Sequence, residues 1–134
     1  YNCSESVLLA LSREFKKSTE HTVPSIATGF GGGIARTGST CGALTGAIMT
    51  IGLVVGRNKS DELEKRDTVY KMALKVITGF EKEFGTSSCK NLTKCDLRTS
   101  EGHEKFQSQK IRETLCPKFV RWTANYATRL IENQ

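Results

Sequence analysis

The chain has 134 residues, 20 Lys and Arg against 14 Asp and Glu for a net charge of +6, and 37% apolar residues, enough for a domain with its own core and unlike a disordered or fibrous chain. Its basic residues are spread from Arg13 to Arg129 among acids such as Glu62, Glu64, Glu81 and Glu83; that reads as a solvated surface, whereas a nucleic-acid footprint clusters on one face. The longest apolar run, Ala43 to Val55, is shorter than the roughly 18 to 20 residues of a membrane span and is diluted by Gly and Thr. Because the sequence opens on Tyr1, a preceding segment is expected, and any targeting signal would lie there.

A first helix is expected from Cys3 to Lys16, since Asn2 and Glu5 make a capping-box pair and Val7, Leu8, Leu11 and Phe15 share one stripe. Residues 17 to 40 contain His21, Pro24 and five glycines and sustain neither a helical nor a strand period. Ser25 to Thr28 suits a single helical turn, but the segment as a whole reads as a long crossover. A second helix follows from Cys41 to Val55, with Ser39 or Thr40 as N-cap and Gly56 ending it. Its apolar face is Leu44, Ile48, Ile51 and Val55. Gly42 with Gly46, and Ala43 with Ala47, recur four apart, so a neighbouring backbone is expected to pack close, offsetting the cost of about 1 kcal/mol for each interior glycine relative to alanine.

The third helix is the longest, from Asp61 to Phe84, with Tyr70, Ala73, Leu74, Ile77, Phe80 and Phe84 at helical spacing and Gly85 as terminator. Ser87 then caps a short helix that carries Cys89 and Leu92 and ends near Cys95 and Asp96. Leu97 to Glu104 reads as turn and loop. A weaker helical piece, Lys105 to Leu115, leads to Cys116-Pro117, where proline in the first helical position starts a last helix reaching Glu132. Phe119, Val120, Ala124, Ala127, Leu130 and Ile131 face inward on it. No alternating strand pattern interrupts the series. The fold class is therefore all-α, a single domain over 1–134 built as a bundle of about five to six helices, with a long Gly-rich crossover before the central helix.

Five cysteines, Cys3, Cys41, Cys89, Cys95 and Cys116, give an odd count with wide gaps and no CxxC pair, unlike ribbon or finger zinc sites and c-type haem attachment. Secreted disulfide scaffolds are usually smaller and evenly paired, so a reducing, cytoplasmic setting with thiols in metal or redox work is expected. Cys3, Cys41, Cys89 and Cys116 each fall in or just before the first turn of an expected helix, where unpaired N–H groups and the helix dipole favour negative charge. There a thiol pKa moves from about 8.5 toward roughly 3.5 to 7.5, populating the form that attacks disulfides or binds metal. The tight Gly56 to Ser60 connection makes the second and third helices antiparallel and brings Cys41 and Cys89 to one end. A first helix parallel to the second would add Cys3, and the 96 to 115 connection is long enough to add Cys116. The third helix outreaches the second by on the order of ten ångströms, so contact between the sulfurs does not follow from connectivity.

In these residues the chain resembles the family of redox-active proteins named for a C, GCAxxG, C, C pattern. Cys3 in Asn2-Cys3-Ser4-Glu5-Ser6-Val7-Leu8 matches the first cysteine, Cys41-Gly42-Ala43-Leu44-Thr45-Gly46 the glycine motif, and Cys89 and Cys116 the last two by order and spacing. The pattern has glycine before cysteine, whereas here Cys41 precedes Gly42, and Cys95 lies outside the four. What the resemblance implies is redox or metal chemistry at the cysteines, with no substrate attached.

Gly33 to Thr40 is a near miss for the phosphate loop GxxxxGK[ST]: Ser39 stands where lysine should reach the phosphates, and no strand precedes it. GxGxxG also fails, because Arg36 falls at the third glycine. The loop is read instead as support for the thiols, with Gly31, Gly32, Gly33 and Arg36 approaching an anion or a sulfur cluster; lone His21 and His103 are read as solvated. The expectation is an oxidoreductase-like protein whose redox thiols are Cys3, Cys41, Cys89 and Cys116, with Cys95 as a fifth candidate. They either cycle between dithiol and disulfide without a cofactor, or ligate an iron–sulfur cluster that transfers electrons. The alternative is a non-catalytic helical binding module in which the same four close a structural zinc site or a disulfide staple. A redox partner protein is expected in the first case, and no nucleic-acid partner or membrane span in either.

Overall fold

The computed structural model describes residues 1–17 and 22–134; His21 lies outside them. It is all-α, running through α1 (Cys3–Glu14), α2 (Thr22–Ala27), a 3-10 turn (Thr28–Phe30), α3 (Gly42–Val55), α4 (Leu63–Phe84), α5 (Cys89–Thr93), α6 (Ser100–Ser108), α7 (Ile111–Thr114) and α8 (Cys116–Glu132). No helix among the described residues is long and apolar enough to cross a membrane.

The start of α1 is set by the expected capping box: Asn2 N–H donates to Glu5 Oε1 at 2.8 Å, and Glu5 N–H returns the bond to Asn2 Oδ1 at 2.8 Å. α1 and α3 run parallel, as the close approaches of Gly42 to Cys3 and Ser4, and of Gly46 to Ser4, Val7 and Leu8, advance along both helices together. This is the contact that the small residues of α3 permit. A Cβ added at Gly46 would lie 2.5 Å from the Ser4 carbonyl oxygen and 3.2 Å from Leu8 N, so α1 would have to move away. Gly46→Leu is accordingly expected to cost about 1 to 3 kcal/mol by overpacking, measured by urea unfolding; a neutral result would mean that α1 and α3 do not meet there.

α3 is the central helix, with Ala43, Leu44, Ala47 and Ile51 buried against Val7 and Leu11 of α1, Met72, Val76 and Phe80 of α4, and Phe119, Ala127 and Ile131 of α8. The buried face of α4 is thus the 72, 76, 80 row. Tyr70 and Leu74, expected on the inward stripe, are 66% and 61% exposed, because that row turns them outward. On α8 the buried Thr123 Oγ1 has no hydrogen-bond partner among the described residues. An unsatisfied buried hydroxyl is costly, so Thr123→Val, which keeps the shape, should stabilise by about 1 kcal/mol in the same assay; a loss would point to a partner that the hydroxyl needs.

The helix boundaries differ from expectation at the starts of α3, α5 and α6. The N-cap of α3 is Cys41 itself, without a side-chain bond, and that of α5 is Ser88, whose hydroxyl accepts from Asn91 N–H. Thr99 accepts from Gly102 N–H and starts α6 inside the segment expected to be loop. Lys110, in the left-handed region at φ 50°, then divides the expected 105 to 115 piece into α6 and α7.

The crossover ends in a left-handed run: Gly32, Gly33, Ile34, Ala35 and Arg36 have φ of 64°, 71°, 68°, 50° and 63°. Each non-glycine in that region costs roughly 1 to 2 kcal/mol. Backbone bonds from Ala35 N–H to Gly29 O and from Arg36 N–H to Gly31 O, both 2.9 Å, help to hold it. At Gly33 a Cβ would lie 2.7 Å from Cys89 Cβ and from Ser39 N, so only glycine lets the loop close over α5.

Candidate functional site

One antiparallel bridge, Thr40 with Ser88, fixes two of the cysteines. Cys41 N–H donates to Ser87 O at 2.8 Å, Cys89 N–H to Ser39 O at 2.7 Å, and Ser88 Oγ to Gly38 O at 2.9 Å. The extra length of α4 therefore does not separate Cys41 from Cys89. The parallel α1 brings Cys3 to the same end, and α8 begins there with Cys116. All four line one cavity of about 260 Å³. Leu92, Leu97, Phe106, Phe119 and Val120 supply its apolar walls, and Arg112 its cation.

The strongest influence on Cys3 and on Cys116 is the hydrogen bond between their two side chains. The two thiols are shifted in opposite directions. Cys3 is held below the ordinary thiol range by the Cys116 bond, against burial, with the Arg112 charge and its own backbone N–H assisting. Cys116 is pushed up by the same bond to Cys3, then by burial and by the Cys3 charge. Burial pushes Cys41 up to about 12 and Cys89 to about 11, and the Cys3 charge adds to both. Of four helix-start cysteines, then, only Cys3 is shifted as the helix dipole alone would shift it; for the others desolvation and a neighbouring negative sulfur outweigh a partial charge.

This raised thiol carries a pH dependence with a definite sign. Cys41 keeps its proton in the folded state up to about 12, while an ordinary thiol releases it from 9.0 upward. Above that value the unfolded chain binds fewer protons, so this group lowers stability by about 1.4 kcal/mol per pH unit. Cys41→Ala should flatten the alkaline fall of the urea midpoint, and an unchanged slope would contradict the assignment.

Cys95 does not line the cavity. It is buried behind Cys116 and beside Ile111, and its Sγ–H donates to Thr93 O at 3.4 Å. Of the glycine loop, Gly32 and Gly33 line the thiol cavity, while Gly31 and Arg36 line the neighbouring groove and not the thiol cavity. His103 also belongs to that groove, its Nε2 3.1 Å from Gln107 Nε2. Sequence reasoning missed Arg112. Its signal is its place four residues before Cys116, one helical turn back. Among the described residues no group of three or more His, Cys, Asp or Glu side chains is placed to hold a metal ion.

The chain matches, over residues 1–130, the profile of a family described as "Putative redox-active protein (C_GCAxxG_C_C)". A protein of Archaeoglobus fulgidus, described as uncharacterized, is 30% identical over 97 residues, a stretch that covers 68% of this chain and 64% of that protein. No solved structure matches.

Proposed function

The chain belongs to the C_GCAxxG_C_C family, and for this member we propose that Cys3 and Cys116 are a dithiol/disulfide couple that reduces a disulfide substrate. The observation that supports it is one cavity lined by four cysteines, in which Cys3 alone is shifted toward the thiolate and Cys116 is the leading influence on it. The Cys3 thiolate attacks one sulfur of the substrate disulfide, forming a mixed disulfide and expelling one thiolate. That attack consumes the negative charge whose hydrogen bond held the proton on Cys116. Cys116 then passes its proton to the departing thiolate and attacks Cys3 Sγ, expelling the second substrate thiolate. Two electrons have moved: the protein holds a Cys3–Cys116 disulfide, and the substrate is two thiols. Burial keeps Cys41 and Cys89 protonated, so they do not compete for the first attack.

Four thiolates have the chemistry that an iron–sulfur cluster or a tetrahedral zinc ion asks for. As arranged, no three of them are placed to hold an ion. That arrangement does not fit a single ion such as zinc, and the steps above run through sulfur alone.

Reaction with bis(2-hydroxyethyl) disulfide, followed by peptide mass mapping, tests the order of attack. Cys116→Ser should trap the mixed disulfide on Cys3, and Cys3→Ser should give none at either position. A mixed disulfide that accumulates first on Cys41 or Cys89 would overturn the assignment.

A further inference from the structure

The thiol cavity adjoins a larger groove of about 1140 Å³, and Asn2, Gly32, Leu97, Phe106 and Arg112 line both. The groove is the approach to Cys3, and its charge is positive. Arg36, Lys110 and Arg112 line it, and none forms an ion pair with an acidic side chain among the described residues. Its acids are Glu5 and Glu113. Both oxygens of Glu5 are already accepting hydrogen bonds, from Asn2 N–H and from Thr28 Oγ1, at 2.8 Å each. Leu97 and Phe106 give the shared wall its apolar character, and Arg112 reaches the thiol cavity itself.

Resting on the disulfide-exchange reading above, we propose that the groove selects a low-molecular-weight disulfide bearing carboxylates, held by Arg36, Lys110 and Arg112 while its sulfurs enter the thiol cavity. Size favours a small molecule over a protein disulfide. The sulfurs line a chamber of about 260 Å³ behind the groove, so the convex surface of a folded partner would stop at the rim. The chamber by itself is close to the lower end of small-ligand sites. Charge decides the class: a cation-lined cleft with apolar walls concentrates anions and repels cations, and does so less as salt rises.

Two measurements separate this inference from the one beneath it. S-Methylglutathione, a carboxylate-bearing thioether that cannot exchange, is titrated calorimetrically into the reduced protein. Saturable binding is expected, weakening about tenfold when Arg36→Gln and Lys110→Gln are combined, and weakening with added sodium chloride. No binding, or binding that the double variant and salt leave unchanged, would overturn the groove assignment. Rates of protein oxidation are then compared for oxidised glutathione, neutral bis(2-hydroxyethyl) disulfide and cationic cystamine. The anionic disulfide should react about tenfold faster than cystamine, with the preference reduced in the double variant. Equal rates for all three would also sink the inference while leaving exchange intact. Thioether binding without exchange by any disulfide would sink the thiol chemistry and leave the groove standing.

Discussion

Cys116→Ala is expected to slow alkylation of Cys3 by iodoacetamide at pH 7 by about tenfold, because only the thiolate reacts and the variant removes the leading source of its stabilisation. The sign follows from the opposing influences on Cys3. The Cys116 hydrogen bond and the Arg112 charge lower its pKa, and burial raises it. With the bond gone, burial is opposed chiefly by Arg112, and the thiolate fraction at neutral pH falls. The rate for the natural chain should level off below the ordinary thiol range, while that of Cys116→Ala keeps climbing with pH. Arg112→Gln should shift the profile the same way by less. An unchanged rate in Cys116→Ala would mean that Cys116 does not hold Cys3 toward the thiolate.

The largest loss of stability is expected from Phe80→Ala, about 3 to 5 kcal/mol by urea or thermal unfolding. Phe80 has no exposure, and its ring centroid lies 4.8 Å from Phe84, 5.8 Å from Phe119 and 5.9 Å from Trp122 in tilted and edge-on contacts. Truncation removes the transfer energy of the ring and leaves a void where α4 meets α8. Aromatic pairs of this geometry add about 0.5 to 1.5 kcal/mol beyond the buried area. The effect should reach the site, because Phe119 is both a neighbour of Phe80 and a wall of the thiol cavity. Tyr70→Ala makes the contrast: at 66% exposure it should stay within about 0.5 kcal/mol. Comparable losses at the two positions would contradict the buried face of α4.

That contrast also marks where the sequence was readable. Helical spacing on α4 selects several apolar residues, but Tyr70 and Leu74 satisfy it as well as Met72 and Val76 do. Which row is buried depends on where α3 and α8 lie, and that is tertiary information. The small-residue spacing of Gly42 and Gly46 was readable because it has one physical use, close backbone approach, and Ser4 is what approaches. The helix-start positions of the cysteines were readable too, since caps and proline mark the boundaries locally. Their acidities were not: sequence supplies the helix dipole, whereas burial and the Cys3 charge, which dominate at Cys41, Cys89 and Cys116, exist only after packing. Nor did periodicity reveal the bridge that joins Cys41 to Cys89. Two residues, Thr40 and Ser88, carry no alternating pattern. Arg112 lay hidden for a related reason: a charged residue in a weakly helical piece looks like surface until α7 sets it beside Cys3.

The most direct measurement is a redox titration of the natural chain in glutathione buffers of stepped potential, quenched by alkylation and read by peptide mapping. A single two-electron transition is predicted, in which the peptides carrying Cys3 and Cys116 become joined while Cys41, Cys89 and Cys95 remain alkylatable. A disulfide joining any other pair, or four thiols that stay free across the whole range of potentials, would contradict the Cys3–Cys116 couple.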